Sequence, residues 1–301
     1  MEGTRYLVVN ADDFGIGPAT SQGILELASA GLITSTVLLV NSPHAGDAVR
    51  RWRQGGPPVE LGWHPCLTLD RPLLPAAQVA SLVDKEGRFH RLSSFLARLA
   101  TGRIVTGEVE AELTAQHGRF QDLVGNPPSV VNSHHHLQVF PRISRVLLRI
   151  LGRQKHLPYV RRIEEPWRMI ARISGARAKR AFLSHFGARD AARQRRLGFP
   201  GNDSLIGITN PPCVARASFL TRWLAKVPGK VVELTCHPGH WDSTLIDRDC
   251  RTGDGQLLRR VQEMHLLRDP RFREAVHEAG FLMVSPSAWA KQRIPGFINA
   301  A

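Results

Sequence analysis

Short runs of β-branched and apolar residues recur along the whole chain with helical patterns between them, and this alternation constrains the fold more than any other feature. The runs are Tyr6 to Asn10, Thr36 to Asn41, Val59 to Gly62, Ser129 to Asn132, Tyr159 to Arg161, Leu205 to Thr209, Val231 to Thr235 and Phe281 to Val284. A strand followed by a helix returns to the sheet by a crossover, so successive strands run parallel and helices cover the faces. Seven or eight such units in 301 residues predict a single distorted (β/α) barrel of the TIM type spanning residues 1–301. A doubly wound sheet is the alternative, which sequence alone separates poorly from a barrel, and the placement of polar residues favours the barrel.

The first unit is well punctuated. Pro18 opens a helix whose apolar face is Ile24, Leu25, Leu27 and Ala28, and Gly31 closes it. Val79 to Val124 reads as helix in two pieces broken near Gly102, covering one side of the barrel. Pro158, Pro166 and Gly175 interrupt an Arg-rich stretch, which predicts an elaborated crossover over residues 143–200, and Ile294 to Ala301 reads as a loosely held tail.

The balance of 40 Lys and Arg against 26 Asp and Glu gives a formal charge of +14. Clusters at Arg161-Arg162, at Arg177 to Arg180 and at Arg193 to Arg196 can give one positive face; a solvated charged face is the plainer reading, and peripheral contact with an anionic surface stays open. No nucleic-acid-binding motif accompanies them, so specific nucleic-acid binding is not expected. No apolar run approaches the roughly 20 residues that span a bilayer, and the residues after Met1 lack the pattern of a secretory signal, so a cytoplasmic enzyme is expected. Cys66, Cys213, Cys236 and Cys250 lack C-x-x-C spacing and read as reduced thiols. A homodimer stays open, since nothing in the sequence identifies an interface.

Five polar residues follow the ends of different strand runs: Asp12 and Asp13 the first, His64 the third, His134 the fourth and His237 the seventh. In a parallel barrel those ends converge on one mouth, where catalytic groups gather. Adjacent side chains at a strand end diverge, so one of Asp12 and Asp13 can face a metal and the other a reacting water; an Asp pair also serves as a helix cap. Three consecutive imidazoles, His134-His135-His136, favour metal binding over a polar turn, with one or two as ligands and the others meeting substrate or orienting a ligand. A carboxylate with two histidines leaves coordination positions open for water and substrate. Magnesium and zinc both suit this set, and the same ligands hold Fe(II) in oxygenases. His237, before a Pro-Gly turn, titrates near neutrality when unperturbed and suits proton donation.

The segments Leu7 to Gly15, Gly31 to Thr36, Leu61 to His64, Ser133 to His136 with Phe140-Pro141, and Cys236 to Pro238 together resemble the YdjC-like carbohydrate deacetylases, the family that includes bacterial chitooligosaccharide deacetylases. The resemblance covers nearly the whole chain and is weakest from about Arg162 to Pro200. It implies one divalent metal, magnesium or zinc, held by Asp13, His64 and His134, with Asp12 as general base and His237 as general acid in removing acetyl groups from an N-acetylated sugar. By similarity, Arg161 holds Asp12 or a substrate oxygen, with Arg162 as its rival and surface charge as the alternative for both. From the residues alone, Trp63, Trp167 and Trp241 near the mouth are candidates to stack on sugar rings, with core packing the alternative for each, and His136 is a candidate to meet the substrate. Two departures stand out. Gln138 replaces a further family histidine, which predicts altered sugar contacts there, and Trp63-His64-Pro65-Cys66 replaces a more usual neighbourhood. The rival chemistries are a metal-dependent hydrolysis of another amide or a phosphate ester, and, in another class, a basic adaptor for nucleic acid or anionic lipid.

Overall fold

A computed structural model describes residues 4–54 and 59–292. The expected tail at 294–301 lies outside the described residues. All eight expected strands form: β1 (Arg5–Phe14), β2 (Ser35–Leu38), β3 (Glu60–Trp63), β4 (Val130–Val131), β5 (Tyr159–Val160), β6 (Ser204–Ile206), β7 (Val231–Cys236) and β8 (Phe281–Met283). Every pairing between them is parallel. The order β5-β4-β3-β2-β1-β7-β6 is that of a curled sheet, with β8 added beside the first residues of β1. The edges β5 and β6 do not pair as strands. Instead the Val160 amide donates to the Pro200 carbonyl at 2.9 Å and the Leu205 amide to the Glu164 carbonyl at 2.8 Å, so the seam closes through loop backbone and the barrel is a distorted one.

The outer layer begins with α1 (Pro18–Ser29) and α2 (Ala45–Gln54). Next come α3 (Leu92–Ala100) and α4 (Thr106–Val124), broken by Gly102 in the left-handed region at φ 74° as expected. Residues before Leu92 are not helical, however. Val83 and Phe89 form an antiparallel bridge, a small hairpin that a helical reading of Val79 onward misses. The Arg-rich crossover holds α5 (Pro141–Leu151), α6 (Trp167–Arg172) and α7 (Arg177–Arg196). The remaining helices are α8 (Pro211–Val214), α9 (Phe219–Leu224), α10 (Gln256–Arg268), α11 (Pro270–Glu278) and α12 (Pro286–Gln292). No described helix is long and apolar enough to cross a membrane.

Because side chains alternate along a strand, each strand feeds two environments. Leu7, Val9 and Ala11 of β1 join the large core between sheet and helices. Val8, Val37, Val130, Tyr159 and Val231 form a second cluster inside the barrel, against Trp289 of α12. Above that apolar floor the interior becomes polar: Asn10, Asn132, Arg161, Glu233 and Thr235 are all at most 1% exposed. Such a layer is stable only when its members satisfy one another, and beneath the mouth they do so apart from Asn132 Oδ1, which is buried without a hydrogen-bond partner.

Candidate active site

Strict alternation would send Asp12 and Asp13 to opposite faces of β1. The strand prevents this with an irregularity. Ala11 pairs with Thr36 and Phe14 with Leu38, so the register shifts between them, and Asp13 takes φ 67°. A bulge of this kind re-aims a side chain at a barrel rim, and both carboxylates line one cavity of about 390 Å³ with His64, His134, His136 and His237. Gly15, at φ 82°, follows immediately, where an added Cβ would come within 3.0 Å of Leu38 Cδ1. Chain exit and carboxylate placement therefore depend on one backbone feature.

One corner of the cavity gathers metal-ligating atoms. Asp13, His64 and His134 each offer a ligand atom, all within 4.8 Å of one another and all buried. Asp13 Oδ1 lies 3.1 Å from His134 Nδ1 and 3.3 Å from His64 Nε2. His64 Nδ1 lies 2.8 Å from the Asn132 carbonyl; that acceptor requires Nδ1 to carry the proton, leaving the Nε2 lone pair facing Asp13. His134 Nε2 is buried with no hydrogen-bond partner, which is costly unless a ligand satisfies it. Burial opposes charge on Asp13, but Arg260, whose Nη2 donates to Oδ2 at 2.7 Å, and the two histidines hold its carboxyl well below the usual range. An ionised carboxylate, a fixed imidazole tautomer and an orphaned imidazole nitrogen fit a divalent cation.

Asp12 belongs to a different arrangement. Arg161 donates Nη1 to Oδ2 and Nη2 to Oδ1, both at 2.7 Å, while Asn10 donates to Oδ1 at 2.6 Å and Thr235 to Oδ2 at 3.0 Å. Arg161 also donates Nε to Glu233 at 2.6 Å, and Tyr159 donates its hydroxyl to the same carboxylate at 3.0 Å. Burial alone would protonate Asp12, but the Arg161 guanidinium reverses this and holds it far below the ordinary carboxylate range. Glu233 goes the other way, since burial outweighs Arg161 and raises its pKa.

His237 Nε2 lies 3.8 Å from Asp12 Oδ2. On the other side of the ring, Arg259 Nη2 approaches Nδ1 at 3.3 Å, and Arg259 Nε donates to Glu263 at 2.7 Å. Because a guanidinium can only donate, Nδ1 accepts and the proton of the neutral ring sits on Nε2, facing Asp12. Desolvation, then the charge of Arg259, pull its pKa down to about 4. His237 is therefore an uncharged N–H donor at neutral pH.

A family model described as YdjC-like protein matches residues 6–278. The chain belongs to the YdjC-like family. It is 28% identical to a chitooligosaccharide deacetylase of Yersinia enterocolitica over 94% of this chain and 98% of that one. A carbohydrate deacetylase of Mus musculus is 32% identical, with 91% of each chain covered. Among solved structures, an Enterococcus faecalis protein named for cellobiose-phosphate cleavage superposes with a TM-score of 0.74 at 26% identity, covering 95% of this chain and 99% of that one.

The cavity brings together all five residues singled out at the strand ends, and it corrects two expectations, those for Trp63 and Gln138. Trp63 is fully buried and packs edge-on against His117 at 5.5 Å; it precedes His64 on β3, so alternation turns it into the helix layer, away from the sugar. Arg161 takes the first of its two expected places: fully buried, it spends its guanidinium on Asp12 and Glu233, leaving none for a substrate oxygen. Gln138 does not line the cavity. Its side-chain oxygen accepts from the Ser133 backbone amide at 3.1 Å and its backbone amide donates to Ser133 Oγ at 2.9 Å, bracing the turn that holds the histidines. His136 does line the cavity, in a neutral form, because burial depresses its pKa strongly. Trp167 and Trp241 are exposed outside the cavity.

Other participants escaped the sequence reading. Arg260 bridges Asp13 and Asp249 at 2.7 and 3.1 Å, Arg259 sets the tautomer of His237, and Lys179 lines the wall. Arg259 and Arg260 lie in a charged helical stretch that offers no local sign of their burial. Glu233 did carry a signal, being an acid inside the apolar run Val231 to Leu234, where an unpaired charge is rarely tolerated.

Proposed function

We propose that this YdjC-like protein is a metal-dependent hydrolase that removes acetyl groups from N-acetylated sugars. The observation that carries the reading is the juxtaposition of two carboxylates in one cavity, Asp13 among imidazoles in a metal-ligating corner and Asp12 paired with Arg161 beside His237. Relatives named chitooligosaccharide deacetylase and carbohydrate deacetylase, aligned over more than nine-tenths of the chain, support the choice of bond.

In this reading Asp13, His64 and His134 hold the cation. When bound, a magnesium or zinc ion supplies the Lewis acidity that makes water acidic near neutral pH and polarises an acetamide carbonyl. The chain's own groups move the protons. Asp12, ionised and fixed by Arg161, accepts the proton of the attacking water; its low basicity is tolerable because the water is already acidified. The proton held by Asp12 reaches the departing amine nitrogen by way of His237 Nε2, which takes one proton as it gives up the other, so no free imidazolate forms and the imidazole ends neutral, as its depressed pKa requires. Acetate and a free amino sugar result, with one water consumed. His136 contributes a neutral imidazole to the cavity wall where the sugar binds.

Acetate release from N-acetylglucosamine oligosaccharides, with and without chelator, tests the activity, and phosphate release from generic esters tests its rival. Asp12→Asn should retain metal by mass spectrometry and lose turnover, because an amide accepts no proton. Undiminished turnover in Asp12→Asn removes Asp12 as the base, and acetate release that survives exhaustive chelation removes the cation.

A further inference from the structure

Between Pro166 and Asn202 the chain carries a single carboxylate, Asp190. It is buried and accepts hydrogen bonds from Ser144 and Gln194. Arg168, Arg172, Arg177, Arg189 and Arg196 are all exposed, and none has a carboxylate partner among the described residues. A surface of one sign is therefore presented by α6 and α7.

Large apolar side chains interrupt this basic surface. Trp167 is 72% exposed, with the Arg168 guanidinium 5.8 Å from its ring centroid, and Phe182 is 47% exposed. Phe182 packs at a tilt against Phe186, centroids 4.8 Å apart, and reaches Phe140 at 6.3 Å, so its exposed ring is one end of an aromatic ridge. On α7, Lys179, Phe182, Phe186 and Arg189 recur at helical spacing and share one face. Lys179 also lines the active-site cavity, so the stripe starts at the mouth and runs outward.

We infer that α6 and α7 form a docking surface for an anionic lipid bilayer. Exposed Trp and Phe bordered by arginines are what an interfacial segment needs: the rings enter the headgroup region and the guanidinium groups meet lipid phosphates. Nucleic acid would satisfy the arginines and leave the Phe182 ridge without a role. Docking through α7 brings the cavity mouth, whose wall includes Ala176 and Lys179, to the bilayer surface whatever bond is cleaved there.

Vesicle sedimentation of the full chain tests this, using phosphatidylcholine alone and phosphatidylcholine mixed with phosphatidylglycerol, over a salt series. The protein should sediment with the mixed vesicles only and be released as salt rises. Each of Arg168→Gln, Arg172→Gln and Arg177→Gln should weaken binding roughly fivefold, and Trp167→Ala should weaken it at every salt concentration. Phe182→Ala should act likewise, and thermal melting of each variant separates a docking defect from a folding one. No sedimentation with the mixed vesicles overturns the inference. So does binding to duplex DNA that competes with vesicles while Trp167→Ala changes neither.

Discussion

Two populations of arginine come from neighbouring stretches of this chain and do opposite things. Arg161 and Arg180 are buried; Arg161 binds Asp12 and Glu233, and Arg180 donates to both oxygens of Glu165 and to the carbonyls of Ile173 and Met169. Arg172 and Arg177 stand in solvent with no carboxylate partner among the described residues. The first population is structural: taking a guanidinium from water is costly, and only full pairing makes it tolerable. The second contributes to the electrostatic field outside the protein and little to its stability. A formal charge of +14 thus overstates the uniformity of the surface, because part of the basic inventory is neutralised under the active site.

The largest test of this contrast is Arg161→Met, which strands two buried carboxylates. It should destabilise the protein by about 3–5 kcal/mol and abolish turnover, as read by urea unfolding and acetate release. A loss no greater than that of a surface variant would erase the distinction. His134→Ala comes next, because it empties the metal corner without touching the Arg161 cluster. Bound metal measured by mass spectrometry should disappear together with activity, while stability without metal should change far less than in Arg161→Met.

Glu233→Gln sharpens the role of the buried pair. It keeps a hydrogen-bond acceptor for Arg161 but removes a charge, so kcat should fall by about 10–100-fold, the usual effect of removing an outer-shell partner, with little change in KM. Arg259→Met probes His237 through pH. With a pKa near 4, His237 is neutral at working pH, and its ring should protonate only well on the acid side, as NMR titration of the imidazole reads directly. Burial remains in the variant while the repulsion of Arg259 is gone, so the pKa rises part of the way toward 6.5 and the titration moves to higher pH. An unmoved titration would remove Arg259 as a cause of the depressed pKa. The smallest effect belongs to Arg177→Gln on the exposed surface, which should stay within about 0.5 kcal/mol of the parent.

Much of this was legible in sequence. Apolar runs separated by helical patterns locate all eight strands, and the residues just beyond them identify Asp12, Asp13, His64, His134 and His237, because a parallel barrel gathers strand ends at one mouth. What failed did so for identifiable reasons. Trp63 was a stacking candidate as an aromatic residue near the mouth, yet neighbours along a strand face opposite ways and it packs in the core instead. The hairpin around Val83 and Phe89 is too short for a period-2 pattern to register. Arg259 and Arg260 occupy helical positions whose burial depends on what β1 and β7 place opposite them.

The amino-acid order alone determined the kind of sheet, the strand ends and the types of side chain available for chemistry, since these follow from local periodicity and from the parallel connection it compels. Tertiary structure decided which of two adjacent aspartates meets the histidines and which meets Arg161. That choice rests on a one-residue irregularity in β1, with Asp13 at φ 67°, and on ion-pair partners contributed by strands and helices more than a hundred residues away. Local pattern carries no information about either, because a buried charge is defined by the partner that reaches it.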